Sequence, residues 1–196
     1  MTFFPQGGGG GGGGGAAVWG AITGTLSDQT DLQTAINTVQ GKIGNWIVLE
    51  DQKAVHTPGG TFSSGSWVTR DLNTEVSDPN NNCSLASNEF TLSEGNYGLL
   101  IASAPAFYVH RHQIRLYRVS PSPDNVALGS LAYSSATLGN HSQTRSFIFF
   151  VIGTLANDTT FRVEHRCQTT KTDNGLGISS TWGTGVFTQV IIEDLN

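Results

Sequence analysis

From Trp46 onward the chain alternates short runs of β-branched and aromatic residues with clusters of Gly, Pro, Asn, Asp and Ser. That is the pattern of strands joined by turns. The runs are WIVLE (46–50), WVTRDLNTEV (67–76), YGLLIASAPAF (97–107), HQIRLYRVS (112–120), NVALGSLAYSS (125–135), RSFIFFVIGTLA (145–156), TFRVEHRCQTT (160–170) and GVFTQVIIE (185–193). Phe161, Val163, His165 and Cys167 alternate with Arg162, Glu164 and Arg166, which predicts a strand with one exposed face. In contrast, FIFFVI (147–152) is apolar at every position. Such a strand must be covered twice, by its own core and by another sheet or subunit. So many short strands in one stretch predict a mainly β, jelly-roll sandwich head over residues 46–196. The strand without a polar face predicts that this sandwich does not stand alone.

Ahead of the head, the period changes. Leu32, Ala35, Ile36 and Val39 fall at i, i+3, i+4 and i+7 and form one apolar stripe. A short helix is predicted from Asp28, a natural N-cap, to Gln40, with Asp31 in its first turn and Gly41 as its stop. Three to four turns are marginal alone. A parallel coiled coil of identical chains would bury the stripe; docking on the chain's own head is the alternative. Residues 16–45 thus read as a helical neck. Gly7–Gly15 is unbroken polyglycine, a flexible tether when free and not collagen, which needs Gly only at every third position. Being small at every position, it would also let chains approach closely in an assembly. Phe3, Phe4 and Pro5 precede it. Two aromatics there call for burial against something, so residues 1–15 read as an anchor and extended arm.

Composition narrows the function. The net charge is −5, with charged residues making up only 13% of the chain. Nucleic acid wants a basic face, so it is not expected as a partner. No apolar run reaches the roughly 20 residues of a membrane span. The first residues lack the charged and apolar regions of a secretory signal. Cys83 and Cys167 permit one disulfide, but the chain is long enough to build a core without one, and two unpaired thiols are the simpler expectation.

The stretch WGAITGTLSDQTDLQTAIN resembles a linker that recurs in tail fibres and related virion proteins of tailed bacteriophages, where it precedes a trimeric C-terminal domain. GGTFSSGSWVTRDLNTEVSD, ASNEFTLSEGNY, ASAPAFYVHRHQIRLYRV, QTRSFIFF and HRCQTTKTDNGLG are similar to a β-domain common in phage tail and fibre proteins, itself like the C1q/tumour-necrosis-factor jelly roll. Together these patches cover most of residues 17–192. The resemblance implies a homotrimer. It would place Phe147, Phe149, Phe150 and Ile152 at the trimer axis and head core, and Leu32, Ala35, Ile36 and Val39 in a trimeric neck. The chain is short for a fibre and has no long shaft.

Candidate chemistry is sparse. His110 and His112 stand at i and i+2 of a strand, and three copies could offer six nitrogens to a metal, as in some phage fibre tips. No metal or other cofactor is expected, because a hydrogen-bonded structural role for His112 is the simpler reading; the isolated His141 and His165 read as structural or solvated. Glu50, Asp51, Asp71, Glu75, Glu164 and Asp173 form no recognisable acid pair for glycan cleavage. Ser64-Gly65-Ser66 is not a nucleophile elbow, and the glycine tract lacks the Lys and Ser/Thr of a phosphate loop. No enzymatic activity is expected. The loop 171–184 is the longest of the head and carries Lys171, Asp173, Asn174, Thr181 and Trp182. Aromatic, amide and carboxylate groups on one loop suit contact with a surface sugar.

The expectation is a non-enzymatic phage structural protein: a homotrimeric short tail fibre, held in the virion by its N-terminus, whose head contacts a host surface glycan. The alternative is a capsid decoration protein that staples the shell through the N-terminal arm. In either case residues 1–45 would contact other virion proteins.

Overall fold

The computed structural model describes residues 45–137 and 140–196, together with Thr34, Ile36 and Asn37. The arm with Phe3, Phe4 and Pro5, and the neck positions Leu32, Ala35 and Val39, lie outside the described residues. Thr34, Ile36 and Asn37 are helical, inside the segment where a helix is expected, and Ile36 is half-buried. The chain divides into Met1–Gln40 and Gly41–Asn196, and every described strand belongs to the second unit.

Its strands begin with β1 (Trp46–Lys53), β2 (Val68–Thr69), β3 (Thr74–Ser77), β4 (Cys83–Ala86) and β5 (Glu89–Leu92). The long strands β6 (Gly95–Phe107) and β7 (His110–Ser120) come next. Then come the short β8 (Asp124–Leu128), β9 (Ala132–Ser134), β10 (Ala136–Thr137) and β11 (Asn140–His141). The chain ends with β12 (Gln143–Leu155), β13 (Thr159–Cys167) and β14 (Gly185–Asp194). One antiparallel sheet has the order β12-β6-β14-β1-β3; the other runs β4-β5-β13-β7-β8, with β2 on β13 and β9 on β7. The chain crosses between sheets from β5 to β6, β6 to β7, β12 to β13 and β13 to β14. These crossings between two antiparallel sheets make the head a mainly β, jelly-roll sandwich.

Alternation fixes which side chains fill it. Ile47 and Leu49 of β1, Leu100 and Ala102 of β6, Ile148 of β12, and Val190 and Ile192 of β14 point inward from the first sheet. They meet Phe90 and Leu92 of β5, Ile114 and Leu116 of β7, and Phe161 and Val163 of β13. All are essentially inaccessible to water, and their burial is the main stabilising term of the head. A smaller cluster of Phe62, Ala106, Val109, Cys167 and Leu176 closes one end.

Three stretches depart from expectation. WVTRDLNTEV is not one strand, because β2 pairs with β13 and β3 with β1, on opposite sheets. The crossing is fixed by Asn73, whose side chain accepts from Gln52 N and donates to Gln52 O. NVALGSLAYSS breaks at Gly129, where a Cβ would lie 2.7 Å from both Ile114 Cγ1 and Phe147 O. Finally, the Asn-rich stretch after β3 leads into a hairpin, β4–β5, that the hydrophobic pattern does not show.

The connections gather at two ends. At one, Phe107 N donates to Gly175 O, Tyr108 N to Ser142 O and Thr169 N to Val109 O. At the other, Glu94 N donates to Asp158 Oδ1, Asn96 N to Asn196 Oδ1 and Asp194 N to Asn45 O. The start of the head and its last residue therefore share one end, and the loop 171–184 lies at the opposite one.

Candidate functional site

The outer face of the first sheet carries one apolar row beside a polar one of Ser103, Gln189 and Glu50. Phe149 pairs in register with Ile101, Ile101 with Ile191, and Ile191 with Val48. One apolar row thus crosses β12, β6, β14 and β1 on the side away from the core. Phe149 is 70% exposed and Val151 66%. Phe147, also exposed, stacks on Phe149 with ring centroids 6.5 Å apart. Phe150 and Ile152 point the other way and pack against the protomer's own core. The four residues expected at the axis and core are therefore split by strand alternation: Phe147 and Phe149 face outward, Phe150 and Ile152 inward.

The loop at the far end divides into a pinned part and a projecting part. Lys171 exchanges two backbone hydrogen bonds with Phe62, and its Nζ lies 5.3 Å from the Tyr108 ring centroid. Asp173 sits at φ 64°, with its N–H donating to Thr61 Oγ1. Asn174 is half-buried, and its buried Oδ1 has no hydrogen-bond partner among the described residues. Further on, Ile178 N donates to Gln143 Oε1, and His56 N to Ser180 O. Past that point Thr181 is exposed, and Trp182 is 93% exposed. Lys171, Asp173 and Asn174 thus belong to the base of the loop, Thr181 and Trp182 to its tip.

His110 and His112 are held by different partners. His112 is buried, with Nδ1 2.9 Å from His165 Nε2 and Nε2 2.8 Å from Thr144 Oγ1. Both of its nitrogens are engaged in hydrogen bonds inside the sandwich. His110 takes φ 61°, faces Thr169 Oγ1 through Nδ1, and stacks on Tyr133. Among the described residues no group of three or more His, Cys, Asp or Glu is placed to hold a metal ion. Burial, and then the nearby Arg70 charge, push His112 down to about 4 and His165 well below its ordinary range. Both are neutral near pH 7. Arg70 is buried between the sheets, where Nε donates to Thr188 Oγ1 and Nη2 to Leu176 O. Burial lowers it to about 10, against the pull of Asp51 and Asp71, so it keeps its proton.

Asp51, Asp71 and Glu164 are held in ion pairs. Lys53 Nζ bridges Asp51 at 3.1 Å and Asp71 at 2.8 Å. Glu164 sits between Arg115 at 2.6 Å and Arg162 at 2.7 Å. Cys83 and Cys167 do not pair with each other. Burial first, and for Cys83 also the charge of Asp78, raise the two thiols to about 12 and about 11. Neither offers a thiolate nucleophile near neutral pH.

A feature not legible in the sequence lies on the outer face of the second sheet. β7 and β13 run in register there, Gln113 beside Arg166, and Gln168 N donates to Arg111 O. These four side chains floor a groove of about 490 Å³. Trp67, just before β2, and Leu131, just before β9, contribute its apolar walls. The guanidinium of Arg115 covers the Trp67 ring at 4.4 Å. The alternation of Arg162, Glu164 and Arg166 shows in the sequence, but the register that brings Arg111 beside Gln168 and Arg166 does not.

No family model matches this chain, and no curated protein does. Solved structures do. The globular domain of zebrafish complement 1qA protein aligns over 76% of this chain and 94% of its own, at 13% identity and a TM-score of 0.44. Murine APRIL at pH 8.0 aligns over 74% and 98%, at 12% identity and a TM-score of 0.44. The vertex protein P5 of PRD1 aligns over 76% and 96%, at 13% identity and a TM-score of 0.38.

Proposed function

We propose that this protein is a non-enzymatic structural component of a bacteriophage virion. In this reading it is a homotrimeric short tail fibre, held in the particle by its N-terminal segment, with a head that meets the host surface. The observation that carries the assembly is the apolar row Phe149–Ile101–Ile191–Val48, which crosses four strands on the face turned away from the core. Contiguous exposed apolar surface is the mark of an interaction site, and obligate interfaces between copies resemble a core cut in half. The WGAITG linker resemblance points to a phage particle, and the Leu32/Ile36/Val39 stripe asks for the same kind of parallel association.

Sedimentation of the full chain tests the assembly. The wild type is expected to run as a trimer and Phe149→Asp as a monomer with an unchanged circular dichroism spectrum. A wild-type monomer, or a trimer untouched by the substitution, removes the β12 face from the interface. Cryo-electron microscopy of the virion tests the location. Density at the tail or baseplate supports the fibre; density over the shell replaces it with the capsid decoration reading.

A further inference from the structure

The second sheet carries a groove that the assembly reading does not use. Its floor is Arg111 and Gln113 of β7 beside Arg166 and Gln168 of the neighbouring segment, and Trp67 and Leu131 stand at its sides. No carboxylate lines it, although the whole chain is net negative. Further along the same strands, every arginine is matched. Arg115 and Arg162 share Glu164, and Arg162 also holds Glu89. Arg166 is different: it is exposed, and its guanidinium makes no ion pair or hydrogen bond among the described residues. The Arg111 guanidinium makes one long hydrogen bond among the described residues, 3.3 Å, to Gln168 Oε1. That bond uses the Gln168 carbonyl and leaves its amide N–H₂ available, while Gln113 Nε2 is spent on Gly129 O and leaves Oε1 available.

Taken together, the groove presents two guanidinium forks, one amide donor, one amide acceptor and an indole edge. A planar carboxylate is the natural partner of a guanidinium fork. Amides suit sugar hydroxyls, and an indole beside a leucine suits the apolar face of a pyranose. The volume takes a mono- or disaccharide. We propose that this groove binds a carboxylate-bearing sugar, with Arg166 as the principal anchor and Arg111 as the second. The site deepens the host-surface reading and rests on it for biological meaning. It places sugar contact on the side of the head, apart from the Trp182 tip.

The test is titration calorimetry on the full chain with galacturonate and with galactose, which differ only at the C6 carboxylate. Inorganic phosphate serves as a bare-anion control. Galacturonate is expected to bind, weakening with salt, and galactose not to bind. Arg166→Gln should lower the affinity at least about tenfold, the range of a lost charge-assisted contact. Because Arg166 is exposed, the variant should keep the wild-type thermal midpoint. Equal binding of galactose, binding unchanged in Arg166→Gln, equal binding of phosphate, or no binding of galacturonate each overturns the proposal. Sedimentation of the same samples separates the two readings. A trimer that ignores galacturonate leaves the assembly standing and removes the groove; a monomer that binds it does the reverse.

Discussion

At the scale of single residues, the pH response of the head is set by polar groups buried between the sheets. His112 and His165 face each other at 2.9 Å, so one nitrogen donates its proton and the other accepts it. Neither ring can take up a second proton without placing charge beside Arg70 in a low-dielectric site. This sets a pH dependence with a definite sign. His112 titrates at about 4 in the folded chain against an ordinary 6.5. Between those values the unfolded chain holds more protons, so stability is full above pH 6.5 and is lost as pH falls toward 4. The loss from His112 is about 3 kcal/mol. Urea midpoints measured from pH 7.5 to 4 should fall across that window, and His112→Gln with His165→Gln should flatten the slope. A slope unchanged in the double variant would assign it to other groups. The meeting of these two histidines was not legible in the sequence. They lie 53 positions apart, and only the β7–β13 register sets them side by side.

Strand by strand, the pattern that showed through the sequence was hydrophobic alternation. β6, β7, β12, β13 and β14 have long runs, and their bounds come out close to those of the sequence runs. The β4–β5 hairpin stayed hidden because its turn is Ser87-Asn88, both at positive φ, 54° and 65°. That is the backbone of a type I′ turn without the Asn-Gly pair that announces one. The stretch before it was equally opaque, since its asparagines work on a distant strand. Asn80 Nδ2 and Asn82 Nδ2 donate to Asp194 Oδ2, while Asn196 N and Nδ2 donate to Oδ1. Burial opposes the charge on Asp194, but the bonds from Asn196, Asn80 and Asn82 outweigh it and hold its carboxyl below the ordinary value. The carboxylate thereby ties the β3–β4 connection to the end of β14. Asp194→Ala would leave these donors without their acceptor and should cost about 2–3 kcal/mol in denaturant unfolding. A change under about 0.5 kcal/mol, the scale of an ordinary surface substitution, would show that the clamp is dispensable.

Across the whole molecule, the two sheets present different outer surfaces. The first offers an apolar row, the second paired arginines and one acid-free groove. FIFFVI signalled the first surface in the sequence because no position in it is polar. The second was invisible, since Trp67, Arg111, Leu131 and Arg166 come from four separate segments that only the sheet brings together. The neck contributes a separate test. Under the trimer proposal, Ile36→Asp places charge in a buried seam and should weaken association in sedimentation equilibrium. If Ile36→Asp changes nothing, the head alone holds the copies together.

The position of β12 has a consequence for handling the protein. It is an edge strand of its sheet, and residues 147–152 contain no charge and no proline. Ser130 occupies that edge at Phe147, donating its N–H to Phe147 O and accepting from Phe147 N through Oγ; the stretch 149–152 beyond it is the part that can template further strands, the seed of a cross-β stack. Chains kept from their copies by truncation, at the concentration of the intact protein, should therefore precipitate over hours and bind thioflavin T. The Phe149→Asp chain, with a charge in the middle of the same edge, should stay clear.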